Sequence, residues 1–397
     1  MFDKKLISKT AEKYKKDIVK FLRDIVAIPS LSTKEKKVVD RISLEMKKIG
    51  YDEITIDPMG NIFGRIGKGK KIIVFDGHID TVDIGDPSLW KVDPFKGRYE
   101  QDLIYGRGSA DQKGGFASAL YAGKILKDLK LQGDYSFYVC GSIMEEDCDG
   151  LNWQYILKNG EIKPNVVVLT ESTSLNIYRG QRGRMEIEIT TKGISCHGSA
   201  PERGINAIYK MAPIIKDIEK LNSRLKIDKF LGKGTVTISQ IRSTSPSLCA
   251  VSDSCTINLD RRLTAGETEK SAIEEIRKLS SFKKANAGVK VLDYKEKSYK
   301  DLVFPTKKYY PMWTVPEQGK EVQTAVRAYR RLYGKKPKIS HWVFSTNGIA
   351  TMGMHKIPTI GFGPGDEKQA HSPNENIPAQ DLVEAMKFYV AFTLEYC

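Results

Sequence analysis

Hydrophobic positions along the chain change their period several times, and each change predicts an element. Over 8–26, Ile18, Phe21, Leu22 and Ile25 recur at helical spacing and Pro29 follows, so an amphipathic helix is predicted. A second helix is predicted over 34–50, with Val38, Val39, Ile42, Met46 and Ile49 as its stripe and Gly50 as its terminator. Residues 54–56 and 61–66 read as short strands about the turn Asp57-Pro58-Met59-Gly60. Residues 71–77 read as a strand buried on both faces, by the continuous apolar run Ile72–Phe75. After a polar loop over 83–100 come a helix over 116–129, a strand over 135–140, a short helix over 153–159 and a strand over 165–171.

The texture then changes. Residues 184–191 alternate strictly between apolar and polar, which implies a half-exposed sheet. A helix over 206–221, strands over 234–241 and 254–261, and a helix over 267–279 complete an α+β insert of ferredoxin-like pattern. Pro305, Pro311 and Pro316 mark an irregular stretch. A helix over 321–333, a strand running into a glycine turn over 357–365, and a closing helix over 379–395 follow. The expected organisation is an α/β domain made of 1–181 and 295–397, interrupted by a second domain over 182–294.

Composition narrows the function. A chain of 397 residues with 40% hydrophobic residues can bury two cores. No apolar run approaches the ~18 residues of a membrane span, and the opening segment has no signal-peptide pattern. Six cysteines without a Cys-x-x-Cys pair fit idle thiols in a cytoplasmic protein, not a disulfide framework. The net charge of +15 is spread over the whole length among acids, with no arginine-rich run. A nucleic-acid partner is therefore not expected, nor is a membrane one.

Candidate chemistry gathers where strands end. Three predicted strands end in His78, in Glu145-Glu146-Asp147 and in Glu171, and Asp111 stands in a glycine-rich loop between the first two. Each feature alone has an ordinary explanation: a strand-end histidine, a solvated acidic loop, a helix N-cap. Together they describe an α/β sheet whose carboxyl edge carries a site. With His371 they supply two histidines and three carboxylates (Asp111, Glu146, Glu171), a donor set suited to Zn²⁺ or to Mn²⁺ or Co²⁺. A shared aspartate can bridge two ions. Glu145, left unligated, can take a proton from water. Asp80, two residues from His78, can orient its ring.

The ordered segments Gly77–Thr81, Gly106–Gly115, Met144–Asp147, Glu171–Thr173, Gly193–Pro201 and His371–Glu375 resemble the co-catalytic zinc family of acetylornithine deacetylase, succinyl-diaminopimelate desuccinylase, aminoacylase and glutamate-releasing carboxypeptidase. Within it the chain looks most like the selenium-metabolism-associated hydrolases. The resemblance implies a mixed-sheet catalytic domain with helices on both faces, and an inserted lid and dimerisation domain. It implies one zinc on His78, Asp111 and Glu171, and a second on His371, Asp111 and Glu146. Asp111 would bridge, the Asp111–Gln112 bond would be cis, and Glu145 would be the general base. His197 would reach the metal centre of a partner subunit in a homodimer. Arg261, Ser345 and Asn347 would contact substrate, an acyl-amino acid or a dipeptide. The chain departs from the desuccinylase pattern at Gln181-Arg182, Ser247-Leu248 and Ser345–Ile349, so the metal chemistry is better founded than any particular acyl group.

Overall fold

The computed structural model describes residues 2–160 and 162–397. Four parallel strands form the middle of a nine-stranded sheet, in the order Tyr135–Ser142, Lys71–His78, Val166–Leu169, Thr359–Gly361. Their side chains are almost wholly buried, as the unbroken apolar runs predict. Helices cover them, chiefly Gly114–Asp128 and Ala379–Tyr396, whose aromatic residues Phe388, Tyr389 and Phe392 pack against Phe75 and Phe362. The outer pairings are antiparallel, except that Ile339–Trp342 runs parallel to Ile177–Gln181, so the sheet is mixed.

Because the central strands are parallel, their carboxyl ends share one edge. His78 lies opposite Ser142, and Leu169 lies opposite Asp76. Glu171, two residues past Leu169, is thereby level with His78. Met144, just beyond Ser142, adopts φ 56°, a left-handed turn that swings Glu145 and Glu146 across the edge.

A second sheet is wholly antiparallel, in the order Thr235–Thr244, Ser254–Leu263, Gly183–Lys192, Gly288–Val291. With helices Ala207–Arg224 and Glu269–Lys278 it forms a β-α-β-β-α-β unit over its own core, including Met185, Ile187, Ile214, Ile257 and Ile276. Tyr309–Tyr310 also pairs with Gly183–Lys192, so the later stretch of chain returns to this sheet beyond position 294.

The predicted helix over 8–26 is in fact two, Lys4–Lys13 and Lys15–Val26. The break falls at Tyr14, whose N–H bonds back to Thr10 and Ala11 while its hydroxyl donates to Asp128. The apolar stripe continues through it, so periodicity alone could not show the kink. The helix Lys36–Ile49 ends at Gly50 with φ 84°, the left-handed cap that its glycine predicts.

Candidate metal centre

Five side chains from distant parts of the chain meet at the carboxyl edge. Asp111 is central. Its Oδ1 lies 3.0 Å from His78 Nε2 and its Oδ2 lies 3.4 Å from His371 Nε2. One carboxylate thus offers an oxygen to each histidine. Glu146 Oε2 is 2.9 Å from His371 Nε2, and Glu171 Oε1 is 3.6 Å from His78 Nε2. Two sets of donor atoms, His78 with Asp111 and Glu146 and His78 with Glu145 and Glu171, each converge within 4.8 Å. The opposite nitrogen of His78 faces Asp80, 3.1 Å from its carbonyl and 3.5 Å from Oδ1, which leaves Nε2 for the cavity.

Burial of this many acids is unfavourable without positive charge. It pushes Glu145 and Glu171 well above the carboxylate range, with Glu146 raised to about 7. Burial would also raise Asp111, but hydrogen bonds from His371 and His78 hold it low. The same bonds to Asp111 and Glu146 lift His371 to about 10. Glu145 Oε1 and Asp80 Oδ1 are buried without hydrogen-bond partners. The nitrogen and oxygen donors, the crowding and the orphaned oxygens all fit divalent cations. His371→Ala, which removes the donor shared by Glu146 and Asp111, is expected to lower bound metal by about one ion per chain in elemental analysis.

The Asp111 loop is shaped by residues to which the sequence assigned no role. Its Asp111–Gln112 peptide is cis, as the resemblance implied. Glu375, fully buried, accepts N–H groups of Ala110 (2.8 Å) and Asp111 (3.0 Å) on Oε1. On Oε2 it accepts Gly108 N–H (3.0 Å) and the Arg107 guanidinium (2.8 Å). Glu375 closes the His371–Glu375 segment of the resemblance, and its acidic side chain was the available signal.

The centre opens into a cavity of about 290 Å³, whose other walls include Asp149, Arg184, Arg262, Phe344, Ser345 and Glu367. Ser345 therefore lines the cavity. Arg261 does not. Side chains alternate along Ser254–Leu263, so Arg262 faces the cavity and Arg261 is turned into the second core, 1% exposed. There Arg261 binds Glu267, Glu275 and the Thr235 carbonyl. Asn347 is also withdrawn: its amide donates to Asp76 (2.9 Å) and Ser142 (3.0 Å) and accepts Gly150 N–H, tying strands together behind the cavity. His197 is exposed and does not line the cavity; its ring bonds Ser199. Arg184 and Arg262 sit opposite one another in adjacent strands, a pairing that single-sequence reading missed.

Residues 74–395 match the model of peptidase family M20/M25/M40. The chain belongs to this family. It is a metallohydrolase of the group that acts on amide and peptide bonds. The uncharacterized protein YgeY of Escherichia coli (strain K12) is 53% identical over 392 residues, covering 99% of this chain and 97% of that one. An acetylornithine deacetylase of Buchnera aphidicola is 25% identical over 402 residues, covering 96% and 98%. Among solved structures, the M20 family metallo-carboxypeptidase Sso-CP2 of Sulfolobus solfataricus superposes with a TM-score of 0.74 at 19% identity, over 96% of this chain and 98% of that one. Among the described residues no helix is long and apolar enough to cross a membrane.

Proposed function

We propose that the chain is a two-zinc amidohydrolase that cleaves an N-acyl or peptide amide of a small amino-acid-like substrate. The observation that carries this reading is Asp111, which divides its oxygens between His78 and His371 while the unpartnered oxygen of Glu145 lies buried beside them. His78, Asp111 and Glu171 would hold one ion, and His371, Asp111 and Glu146 the other. When bound there, the ions supply Lewis acidity and make a water acidic enough to attack at neutral pH. Asp80 holds the His78 ring in place. Glu145 accepts a proton as the water oxygen bonds to the amide carbon, then delivers it to the nitrogen as the carbon–nitrogen bond breaks.

Elsewhere in the cavity wall, Arg262 and Ser345 would meet the substrate, Arg262 offering to a carboxylate a guanidinium that also pairs with Asp260 (2.7 and 3.0 Å). Arg262→Ala is expected to raise KM by about tenfold with the fold intact. Arg261→Ala is expected to leave KM alone and to lower stability by about 2 kcal/mol, since it strands Glu267. Steady-state kinetics and thermal melts of the two variants separate these effects.

Residues 182–294 would act as lid and dimerisation domain. Thr235–Thr244 is an edge strand, and Ile194, Ile205, Ile241 and Leu248 are exposed on the same unit, which supports a homodimer formed there. His197 of one protomer would then serve the cavity of its partner. The six cysteines form no disulfide among the described residues, which supports a cytoplasmic setting.

A second reading, dipeptidase, is favoured by Glu367 Oε2. It and Asp149 Oδ2 belong to cavity-lining residues and both are buried without hydrogen-bond partners; Asp149 Oδ2 lies 3.7 Å from the Arg184 guanidinium, so Glu367 is the acid left to turn toward a free ammonium group. A panel of N-acyl amino acids and unblocked dipeptides, offered to the zinc-loaded protein, tests both. Turnover of N-acyl amino acids supports the first reading, turnover of dipeptides alone the second. Turnover of neither overturns both.

A further inference from the structure

The segment between the helices Lys15–Val26 and Lys36–Ile49 has almost no regular structure, yet it touches three motifs of the metal centre. Leu31 forms a parallel bridge with Thr81, and Thr81 N–H donates to the Ser30 carbonyl at 2.9 Å. Ser30 Oγ donates to the Ile79 carbonyl at 2.8 Å. Ser32 Oγ donates to Asp80 Oδ2 at 2.6 Å, and that same oxygen accepts Glu146 N–H at 3.1 Å. Lys113, two residues past Asp111, sends its ammonium back to the carbonyls of Ile25 (2.9 Å) and Ile28 (3.2 Å).

Glu35 completes the set. It is fully buried, and its Oε1 accepts N–H groups of Thr33 (3.0 Å) and Met144 (3.1 Å). Thr33 (φ 72°) and Met144 (φ 56°) are both held in the left-handed region, which non-glycine residues adopt only when their surroundings impose it. A hydroxyl or amide could cap such N–H groups at less cost than a buried carboxylate. Here the carboxylate sits at the turn from which Glu145 and Glu146 project.

We propose that Ser32 and Glu35 are positioning residues for the metal centre. Ser32 fixes the Asp80 carboxylate, and through it both the His78 ring and the Glu146 backbone. Glu35 fixes the Met144 peptide and so the direction in which Glu145 and Glu146 leave the strand. This strap lies before residue 74, where the match to the family begins. The inference rests on the metallohydrolase reading above, but its test is separable.

Zinc affinity is measured by chelator competition, far below the melting temperature, on protein shown to be folded by circular dichroism. Lost global stability alone does not move that constant. Ser32→Ala and Glu35→Ala are each expected to weaken zinc by about tenfold or more. Glu35→Gln keeps an oxygen for Met144 N–H and should recover to within about threefold of the parent. Lys34→Ala, exposed on the same strap, should change nothing. If Ser32→Ala and Glu35→Ala bind zinc within about twofold of the parent, the positioning role is overturned. Should Glu35→Ala fail to fold, Ser32→Ala, which removes one hydroxyl, decides the matter. A parent chain that takes up no metal defeats the metallohydrolase reading, and the positioning role with it.

Discussion

Glu145→Gln should retain its full metal content and lose about 10²–10⁴-fold in kcat, the usual worth of a positioned general base. The substitution is nearly isosteric and removes only the ability to take a proton. Glu145 is 5% exposed, and its free Oε1 makes no hydrogen bond, so no partner is stranded by the change. Its other oxygen lies 3.8 Å from His78 Nε2, close to the donors yet farther than Asp111. Two measurements decide the outcome: elemental analysis and steady-state rates on whichever panel substrate is turned over. Unchanged kcat, or loss of metal in step with activity, would make Glu145 a ligand or a bystander and not the base.

The second large effect is expected at Glu375. Glu375→Ala should cost about 3–5 kcal/mol of stability, the penalty for removing one partner of a buried ion pair. Arg107, 2% exposed, would lose its carboxylate, and three N–H groups of the Gly108–Asp111 turn would lose their acceptor. Because that turn carries Asp111, proposed above as the residue shared by both ions, metal content should fall as well. Glu375→Gln should recover part of the stability, since an amide oxygen still accepts N–H. Thermal melts and metal analysis of the two variants check this. A melting temperature for Glu375→Ala equal to that of the parent would show that water replaces the carboxylate without cost.

The edge of the sheet was legible because parallel strands leave a strong sequence mark. Continuous apolar runs such as Ile72–Phe75 and Val166–Leu169 end abruptly in polar residues, and those residues turned out to share one edge. Arg261 illustrates what fails. The period of a strand is two, so an error of one position moves a side chain to the other face. Two adjacent arginines give no internal clue to the phase; the burial alternation around Leu259 and Leu263 does. Asn347 failed for another reason. A polar residue in a motif has no label saying whether it meets a ligand or satisfies buried backbone, and here three partners consume it. The strap around Ser32 and Glu35 was invisible for a third. Ser32 acts through a carboxylate 48 positions away and Glu35 through a backbone N–H 109 positions away, which no local pattern encodes.

The spacing of the converging side chains along the chain has a consequence for biosynthesis. His78, Asp111, Glu146 and Glu171 leave the ribosome early, but His371 follows two hundred residues later, after the entire antiparallel unit has been made. A nascent chain halted in between holds its acids beside a single imidazole, an assembly that repels itself. The ion proposed for His371, Asp111 and Glu146 would therefore be captured last, since His78, Asp111 and Glu171 are already made, and metal starvation should leave a full-length, loosely docked C-terminal segment open to proteases at the turn before Asn376.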